Sequence, residues 1–270
     1  MDKTLLAIFA HPDDEAFGIG GTLTRYAQAG ATVRLICATR GESGKITDPD
    51  IDPDSDVGVL REQELKDACA AMGLEPPIFL DYHDSGREER TQHSNKRALM
   101  HVPEDEIERA LLQHIADIKP DVMLTFDPHG IYGHIDHIKI HRATTAAFWA
   151  AGGVMQPAPR RLFYTVLVAD RMKEMQQSRP NSPLAKLDAD VYGVSEDSLA
   201  AVLDVTAYVD QKEKAVKAHR SQTGPTSSFA NISRDNETWR EMFRRETLTL
   251  GGLRGSFPAL PVDDLFAGLD

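Results

Sequence analysis

Apolar runs and segments of helical periodicity alternate along most of the chain. Residues 4–10 form a continuous apolar run, which is typical of a strand buried on both faces of a sheet. Between residues 18 and 30 apolar positions recur at helical spacing, and Gly30 stands where a helix would end. A second apolar run follows at 32–38, so this stretch predicts one β-α-β unit.

The same alternation continues beyond this unit. It predicts helices at 58–72, 103–118 and 134–150 and strands at 77–80, 121–126 and 162–168. Strands that alternate with helices in this way form a mostly parallel sheet with helices on both of its faces. We therefore predict an α/β fold.

Polar or irregular stretches interrupt this alternation of strands and helices but do not divide the chain into separate domains. The interruptions are an acidic, proline-rich stretch at 48–56, long polar stretches at 81–101 and 221–236, and a less regular segment at 169–197. The alternating aspartates of the first stretch lack the glycine and terminal glutamate of an EF-hand, which favours a solvated loop over a calcium site. No repeat and no linker is evident, so we predict a single domain over residues 1–270, with polar insertions near 81–101 and 169–197.

Composition and charge narrow the classes of partner. The 270-residue chain has 30 Lys+Arg against 42 Asp+Glu, a formal net charge of −12, which disfavours binding to a nucleic-acid backbone. The two cysteines, Cys37 and Cys69, are too few for a disulfide framework and form no CxxC pair, which fits the reducing cytoplasm. No segment approaches the ~20 apolar residues that a membrane helix needs, so no membrane span is predicted.

Two clusters of histidines and acids each follow a predicted strand. Residues 11–15 read His-Pro-Asp-Asp-Glu after the first strand, and residues 127–137 read Asp-Pro-His-Gly-Ile-Tyr-Gly-His-Ile-Asp-His after the strand at 121–126. Ligands of open parallel sheets bind outside the carboxyl ends of the strands, where both clusters lie. Crowded carboxyl groups repel one another unless a positive charge sits among them, so the clusters predict a metal site.

The residue types of the first cluster suit a catalytic zinc ion, which takes three protein ligands and leaves one position for water. His11 and Asp14 are three residues apart, so on a tight turn both can face one point. A histidine of the second cluster would complete the set. Asp13 would then stand beside the metal as general base for the water molecule.

Three histidines in and after the second cluster compete for the third ligand position. His134, His137 and His141 lie on one face of the predicted helix, and the last two have the i, i+4 spacing of known metal pairs. Binding through the first turn of the helix fits a site at the strand ends better, which disfavours His141. A second imidazole is then left to polarise the substrate carbonyl or to protonate the leaving amine.

Two other functions share parts of this pattern. The β-α-β start suggests dinucleotide binding, but after Gly18 and Gly20 the third glycine of the fingerprint would fall at Leu23. The acids of the first cluster would also repel a pyrophosphate. Two histidines and a carboxylate bind iron in non-haem oxygenases, but a free carboxylate such as Asp13 beside the metal favours hydrolysis.

Residues 11–15 and 132–137 together resemble the signature pair of the LmbE-like, or PIG-L, deacetylase family. The resemblance extends through further segments at 20–23, 39–44, 61–65 and 214–222. It implies a Rossmann-like fold, an active site at the C-terminal ends of the strands and a single Zn²⁺, which Fe²⁺ can replace in the cell. It implies a metal-dependent amidohydrolase for an amino sugar, which removes the N-acetyl group of N-acetylglucosamine conjugates such as those of mycothiol, bacillithiol and glycosylphosphatidylinositol synthesis. Relatives often form trimers or hexamers, so a homo-oligomer is expected.

The resemblance also implies roles for individual residues in the two clusters. The metal ligands would be His11, Asp14 and His137, and the general base would be Asp13. His134 would stabilise the oxyanion or act as the acid.

Further roles are carried over from the neighbouring positions of the family pattern. Asp136 would tune the histidines, and Tyr132 matches a mobile tyrosine that assists the intermediate in mycothiol-pathway members. Glu42 and Arg61 fall in segments that line the sugar pocket. Ile135 stands where proline is frequent, a departure that affects loop rigidity.

The stretch 81–101 matches nothing in the family pattern, and we expect substrate preference to be determined there. Some relatives with this fold and metal site act on other substrates, so a lyase or hydratase of a dicarboxylic acid is the alternative function. Such a substrate needs a cationic pocket, which makes the arginines of this stretch relevant. We expect His83, His93 and His101 to lie at the surface and His219 to be structural.

Overall fold

The computed structural model describes residues 3–178, 184–227 and 237–269, which contain one seven-stranded sheet. In chain order the strands are β1 (Thr4–Phe9), β2 (Thr32–Thr39), β3 (Ile78–Tyr82), β4 (Val122–Phe126), β5 (Arg161–Thr165), β6 (Ala201–Asp204) and β7 (Arg245–Leu253). Across the sheet they follow the order β3-β2-β1-β4-β5-β7-β6. The pairs among β1–β5 are parallel, whereas β7 runs antiparallel to β5 and β6. The predicted mostly parallel α/β sheet is confirmed, and β6 and β7 are strands that the sequence pattern does not predict.

Ten α-helical segments accompany the sheet in the described residues. They are α1 (Asp14–Gln28), α2 (Val57–Met72), α3 (Glu104–Ile118), the short turn α4 (Gly130–Gly133), α5 (Ile135–Val154), α6 (Ala169–Ser178), α7 (Ala189–Tyr192), α8 (Val209–Ala218), α9 (Arg220–Thr223) and α10 (Glu237–Phe243). As predicted, α2 ends at Met72, and Gly73 follows it in the left-handed conformation that commonly ends a helix. α1 begins at Asp14 rather than at 18, because Asp14 and Glu15 form its first turn, where acids interact favourably with the helix dipole. None of these described helices is long and apolar enough to cross a bilayer.

The order of the strands places a switch point between β1 and β4. From β1 the chain moves outward through β2 to β3, and it then returns to β4 on the other side of β1 and continues to β5. Because crossovers between parallel strands are right-handed, this reversal puts α1 and α2 on one face of the sheet and α3 and α5 on the other. The helix contacts agree, since α1 and α2 pack against α8 whereas α3 packs against α5. Open sheets of this kind bind ligands beyond the carboxyl ends of the strands at the switch point.

The central strand β1 is buried on both of its faces, which explains its continuous apolar sequence. Leu5, Leu6 and Ile8 are fully buried, and the strand pairs in parallel with both β2 and β4. At its carboxyl end Phe9 packs edge-on against Phe126 of β4, with the ring centroids 5.0 Å apart. The two strand ends that precede the histidine and acid clusters are therefore in direct contact.

The polar stretch at 81–101 lies only partly at the surface. His93 and His101 are exposed as expected, but His83 is half-buried, with Nδ1 2.8 Å from the carbonyl oxygen of the next residue. Ser85 is fully buried. The expectation of a surface histidine is therefore wrong for His83, because the segment turns inward toward the ends of the strands.

The other irregular segments are described in part. The segment at 169–197 contains α6 and α7, and its residues 179–183 lie outside the described residues. The predicted loop at 221–236 begins within α9, and its residues 228–236 likewise lie outside.

Candidate metal site

Three donor side chains converge where the two clusters meet. His11 follows β1, Asp14 opens α1, and His137 lies in the first turn of α5. His11 Nδ1 lies 3.2 Å from His137 Nε2, and the two carboxylate oxygens of Asp14 lie 3.6 Å from the first nitrogen and 3.3 Å from the second. Ligands of a tetrahedral zinc ion at about 2.0–2.2 Å stand roughly 3.3–3.6 Å from one another, so these donors fit a single ion.

The protonation states of two of these donors, His137 and Asp14, also suit a metal. Burial lowers the pKa of His137 to about 4, so its imidazole is neutral near pH 7, which is the form that binds metals. Burial acts to raise the pKa of Asp14, but His137 and His11 hold that pKa below its usual range and keep the group a carboxylate. A neutral imidazole and a carboxylate turned toward one point away from water form a donor set that a cation stabilises.

Hydrogen bonds orient the rings of both histidines. His11 Nε2 lies 3.1 Å from Asp136 Oδ2 and 3.3 Å from Asp84 Oδ1. Burial opposes a charge on His11, but these carboxylates raise its pKa well above the usual value, so a metal at Nδ1 would compete with a proton there. His137 Nδ1 lies 3.2 Å from the Gly130 carbonyl oxygen. Contacts of this kind fix which ring nitrogen faces the ion, here Nδ1 of the first histidine and Nε2 of the second.

Asp136 is fully buried and joins this network to the loop that follows β3. The Ser85 backbone N–H donates to Asp136 Oδ2 at 2.9 Å, and the Ser85 hydroxyl donates to Oδ1 in a short hydrogen bond. Asp84 and Ser85 are not among the residues that the sequence analysis selects. They nevertheless follow the third predicted strand, whose carboxyl end lies at the same edge of the sheet, and that placement is the signal that could have found them.

Asp13 precedes the ligand Asp14 but has different partners. Its carboxylate is one-fifth exposed, and Oδ2 accepts a hydrogen bond from Arg61 Nη2 at 3.2 Å. Burial raises the pKa of Asp13 to about 7, although the Arg61 guanidinium opposes that shift. A carboxylate with a pKa near the working pH suits a general base.

His134 caps the N-terminus of α5 beside the donor triangle. Its Nδ1 accepts a hydrogen bond from the Asp136 backbone N–H at 3.2 Å, so the neutral ring carries its proton on Nε2. Burial and the neighbouring His11 and His137 lower the pKa of His134 to about 2, so the ring is neutral. Its centroid lies 4.6 Å from that of His11. His134 can therefore donate a hydrogen bond to a group bound near the metal.

Tyr132 lies in α4, the short turn within the second cluster. The turn is strained, because Ile131 has a φ of 64° between two glycines that also have positive φ. The Tyr132 ring packs edge-on against His137 at 5.0 Å between centroids, and the Arg87 guanidinium lies 4.9 Å above it. Burial raises the pKa of Tyr132 well above its usual value, so its hydroxyl remains a proton donor.

Arg61 and Glu42 contact the loops that support the site. Arg61 is 4% exposed, and its guanidinium donates to the carbonyl oxygens of Gly41, at 3.0 Å, and Pro12. Glu42 Oε2 accepts a hydrogen bond from the Asp84 backbone N–H at 3.0 Å. Both residues therefore lie beside the site, and their predicted contact with a sugar stays a prediction.

His141, the alternative third ligand, lies apart from the donors. Its Nδ1 lies 2.9 Å from the Phe126 carbonyl oxygen, and its ring packs on Tyr164. Among the described residues, the sets of metal-binding side chains with ligand atoms within 4.8 Å of one another are His11 with His134 and His137, and His11 with Asp84 and Asp136. Neither Asp14 nor His141 belongs to these sets. One Asp14 oxygen nevertheless lies 3.6 Å from His11 Nδ1 and the other 3.3 Å from His137 Nε2, whereas His141 Nδ1 is engaged with the Phe126 carbonyl oxygen.

A cavity of about 1290 Å³ opens beside the donors and is large enough for a glycoside. Asp13, Asp14 and His137 line it on the side of the strand ends. Arg87 and Arg90 of the stretch 81–101 also line this cavity, so the arginines that the sequence analysis marked do face the candidate site.

Solved structures share this fold at low sequence identity. The zinc-inhibited form of the teicoplanin deacetylase Orf2 superposes with a TM-score of 0.62 at 19% identity, covering 92% of this chain and 97% of that one. The 4-carboxy-2-hydroxymuconate hydratase of Pseudomonas putida superposes with a TM-score of 0.59 at 18% identity, covering 95% of this chain and 99% of that one. Likenesses at this identity establish the fold and not the reaction.

Sequence comparison identifies the family. The family model described as PIG-L, GlcNAc-PI de-N-acetylase, matches residues 6–148, which include both clusters. A curated relative from Thermomonospora curvata, 1D-myo-inositol 2-acetamido-2-deoxy-alpha-D-glucopyranoside deacetylase, is 34% identical over 99% of this chain and 97% of its own length. The resemblance predicted from the two clusters is thus confirmed, and this chain belongs to the PIG-L family of LmbE-like deacetylases.

Proposed function

We propose that this protein is a zinc-dependent hydrolase that removes the N-acetyl group from an N-acetylglucosamine conjugate. The observation that carries the proposal is the convergence of donor atoms from His11, Asp14 and His137: the two ring nitrogens lie 3.2 Å apart, and each lies 3.3–3.6 Å from one of the two Asp14 oxygens, with Asp13 next to Asp14 in sequence. Three ligands that leave a position for water, together with an adjacent base, are the parts of a metal-assisted amide hydrolase.

The metal would be held by Nδ1 of His11, the carboxylate of Asp14 and Nε2 of His137. A bound zinc ion supplies a water molecule of lowered pKa and polarises the carbonyl of the substrate. The same donor set accepts Fe²⁺, so iron is the alternative metal.

Asp13 and His134 would move the protons. Asp13, whose pKa is raised to about 7, takes a proton from the attacking water as the new C–O bond forms. His134 Nε2–H donates a hydrogen bond to the amide oxygen as negative charge develops there, and the Tyr132 hydroxyl is a second donor within the same turn. The C–N bond then breaks, Asp13 returns its proton to the leaving amine, and the products are acetate and a free amino sugar.

The lining of the cavity bears on the group attached to the sugar. The relative from Thermomonospora curvata is named for an inositol glycoside, which makes that neutral conjugate the first substrate to test. Lys45, Arg87 and Arg90 line the cavity together with acids such as Asp170 and Glu174, and the cations suit an anionic substituent such as a carboxylate. They are the specific observation that favours a second candidate function, hydration of a dicarboxylic acid.

The test is acetate release by the zinc-loaded protein from a panel of N-acetylglucosamine conjugates. The panel has inositol, malate, chitobiose and lipid members, so it separates neutral from anionic substituents. Acetate from any member supports the deacetylase, and the preferred member identifies the substrate class. A zinc-loaded protein that cleaves none contradicts the proposal, and hydration of a dicarboxylic acid becomes the leading function.

We further propose that the chain is one domain over residues 1–270, acts in the cytoplasm and assembles as a trimer or hexamer. One hydrophobic cluster that reaches from β1 to Leu269 supports a single domain. The buried thiols of Cys37 and Cys69 are free, which suits a reducing compartment. The assembly is carried over from the family resemblance, and an interface on α5 would bury Trp149 and Val154, which are half or more exposed. Limited proteolysis and light scattering test the domain and the assembly.

A further inference from the structure

The proposed base, Asp13, has a backbone conformation that side chains other than glycine rarely adopt. Its φ is 114° and its ψ is −26°. Conformations of this kind cost on the order of 1–3 kcal/mol and persist only where the surroundings determine them. The Asp13 backbone N–H donates a hydrogen bond to Glu15 Oε2 at 3.0 Å, two residues further along the chain. Glu15 therefore holds the backbone of the base, while Arg61 holds its carboxylate.

Glu15 is itself held by a residue from the far end of the chain. Glu15 Oε1 lies 2.7 Å from His219 Nε2, 204 residues away in sequence, and the side chains are 1% and 0% exposed. Burial acts to lower the pKa of His219, but the Glu15 carboxylate raises that pKa above its usual value, so the two form an ion pair. His219 Nδ1 has no hydrogen-bond partner among the described residues. The contact with Glu15 is thus the polar contact that fixes the ring.

His219 reaches Glu15 because the segment after α8 is anchored to helix α2. The His219 carbonyl oxygen accepts backbone hydrogen bonds from Gln222 and Thr223, each at 3.0 Å. Next to it, the Ser221 backbone N–H and hydroxyl each donate to Glu64 of α2 at 2.7 Å. The ring is therefore presented to α1 by a fixed turn.

We propose that the buried pair of Glu15 and His219 is a positioning device for the general base. It acts through the backbone N–H of Asp13 and holds that residue in the conformation in which it lines the cavity beside Asp14 and His137. The proposal rests on the function proposed above for Asp13. Because both Glu15 oxygens are engaged, one by Asp13 and one by His219, Glu15 and His219 are positioning residues and not catalytic ones.

A second buried polar contact on the same helix provides the control. The Tyr26 hydroxyl of α1 donates to Asp264 Oδ1 at 2.9 Å and accepts a hydrogen bond from the Leu265 backbone N–H at 2.6 Å. Tyr26 is 3% exposed, so this contact, like that of Glu15, is a buried link from α1 to a distant part of the chain. Among the described residues, Tyr26 neither contacts Asp13 nor lines the cavity.

The experiment compares Glu15→Ala, Glu15→Gln, His219→Asn and Tyr26→Phe in the zinc-loaded protein. For each variant, kcat, KM, zinc content and thermal unfolding are measured. Because displacement of a reacting group by about 1 Å costs on the order of 100-fold in rate, we expect Glu15→Ala to lower kcat by about that factor. KM and zinc content should change little. Glu15→Gln should restore most of the rate, because its amide oxygen can still accept from the Asp13 N–H.

The remaining variants separate positioning from general packing. His219→Asn should lower kcat in the same direction as Glu15→Ala, whereas Tyr26→Phe should lower thermal stability while kcat is kept. Activity that falls only in proportion to zinc content or folded fraction would overturn the proposal. An equal loss of kcat in Tyr26→Phe would overturn it too. If the wild type releases acetate and the Glu15 variants match it, the positioning role fails while the deacetylase function stands.

A structural measurement decides the proposal even if the wild type releases no acetate and the proposed function fails. The crystal structure of Glu15→Ala is compared with that of the wild type at Asp13. A residue that leaves the left-handed conformation and moves its carboxylate supports the positioning role. An Asp13 that keeps its conformation and position contradicts it.

Discussion

Asp13 and Asp14 are adjacent in sequence, yet their surroundings move their pKa values in opposite directions. Asp14 faces two imidazoles and its pKa is held below the usual range, whereas burial raises the pKa of Asp13 to about 7. Carboxyl groups whose pKa values are separated in this way commonly divide the roles of a site. The structure therefore supports Asp14 as ligand and Asp13 as base, the same division that the resemblance implies.

Replacement of Asp13 by asparagine tests this division. Asp13→Asn removes the proton acceptor but leaves the donor triangle, so we expect acetate release to fall by about 10²–10⁴-fold while zinc content is retained. Metal analysis and steady-state kinetics on the same preparation measure both. A variant that loses zinc and activity together would show that Asp13 serves the metal and not the water.

His134 should contribute to the rate without being required for metal binding. Its Nε2–H is the donor proposed for the developing oxyanion, and loss of one such donor costs about 10²–10³-fold in kcat. We therefore expect His134→Ala to be slow but measurable, with zinc retained. Steady-state kinetics check the rate, and an unchanged kcat would remove His134 from the mechanism.

The third metal ligand can be decided between His137 and His141 by one pair of variants. His137 Nε2 lies 3.2 Å from His11 Nδ1, whereas His141 Nδ1 is engaged with the Phe126 carbonyl oxygen. We expect His137→Gln to lose zinc and His141→Gln to keep it, as measured by metal content after dialysis. The reverse result would make His141 the ligand.

Residue types and spacing predicted a metal site with His11 and Asp14 among its donors, and the family resemblance selected His137 as the third, but neither indicated the groups that hold these donors. His11, Asp14 and His137 lie in two short motifs, so residue chemistry and the strand-end rule together indicate a metal site. The pair of Glu15 and His219 depends on a contact across 204 residues, which no local pattern encodes. For the same reason the sequence around His219 predicts a structural residue, and nothing in it indicates a contact with residues 11–15.

At the scale of elements, hydrophobic periodicity predicted the five parallel strands but not β6 and β7, which form the antiparallel side of the sheet. The strands β1–β5 are apolar runs separated by helices, and the pattern indicates them within a few residues. β6 has only four residues, and β7 carries Gly251 and Gly252, which disfavour a strand, so tertiary pairing and not propensity makes them strands. Helix α1 begins four residues before its predicted start, because the acids of the first motif occupy its first turn.

The loop after β3 should control metal affinity through Ser85. Its backbone N–H and hydroxyl both donate to Asp136, which in turn contacts His11 Nε2. Loss of such an outer partner commonly weakens metal binding by about 10–100-fold, so we expect Ser85→Ala to bind zinc more weakly while it folds normally.

Competition with a chromogenic chelator measures that affinity for Ser85→Ala and for a matched serine variant. Ser198→Ala is the control, because Ser198 is an exposed serine whose hydroxyl donates to the Ser195 carbonyl oxygen. Equal zinc affinity in the two variants would mean that the loop does not orient the ligand.

At the scale of the whole molecule, the sheet order explains how segments so far apart form one site. The strands β1 and β4 are neighbours at the switch point, so residues 11–14 lie beside residues 134–137. Asp84 follows β3, whose carboxyl end lies at the same edge of the sheet, and it contacts His11 there. Three strand ends therefore supply the donors and their partners. A metal held between α1 and α5 links helices on opposite faces of the sheet, so its binding should stabilise the entire fold and not one loop.

Removal of the metal tests this link directly. A ligand that binds only the folded state stabilises it by about 2.7 kcal/mol at a hundredfold excess over its Kd, so zinc should raise the Tm and a chelator should lower it. We expect the chelated protein to lose acetate release and to recover it when zinc is restored. Asp13→Asn should keep the zinc-dependent rise in Tm and His137→Gln should lose it, because only the second variant removes a donor. A rise that persists in His137→Gln would place the stabilising ion elsewhere in the molecule.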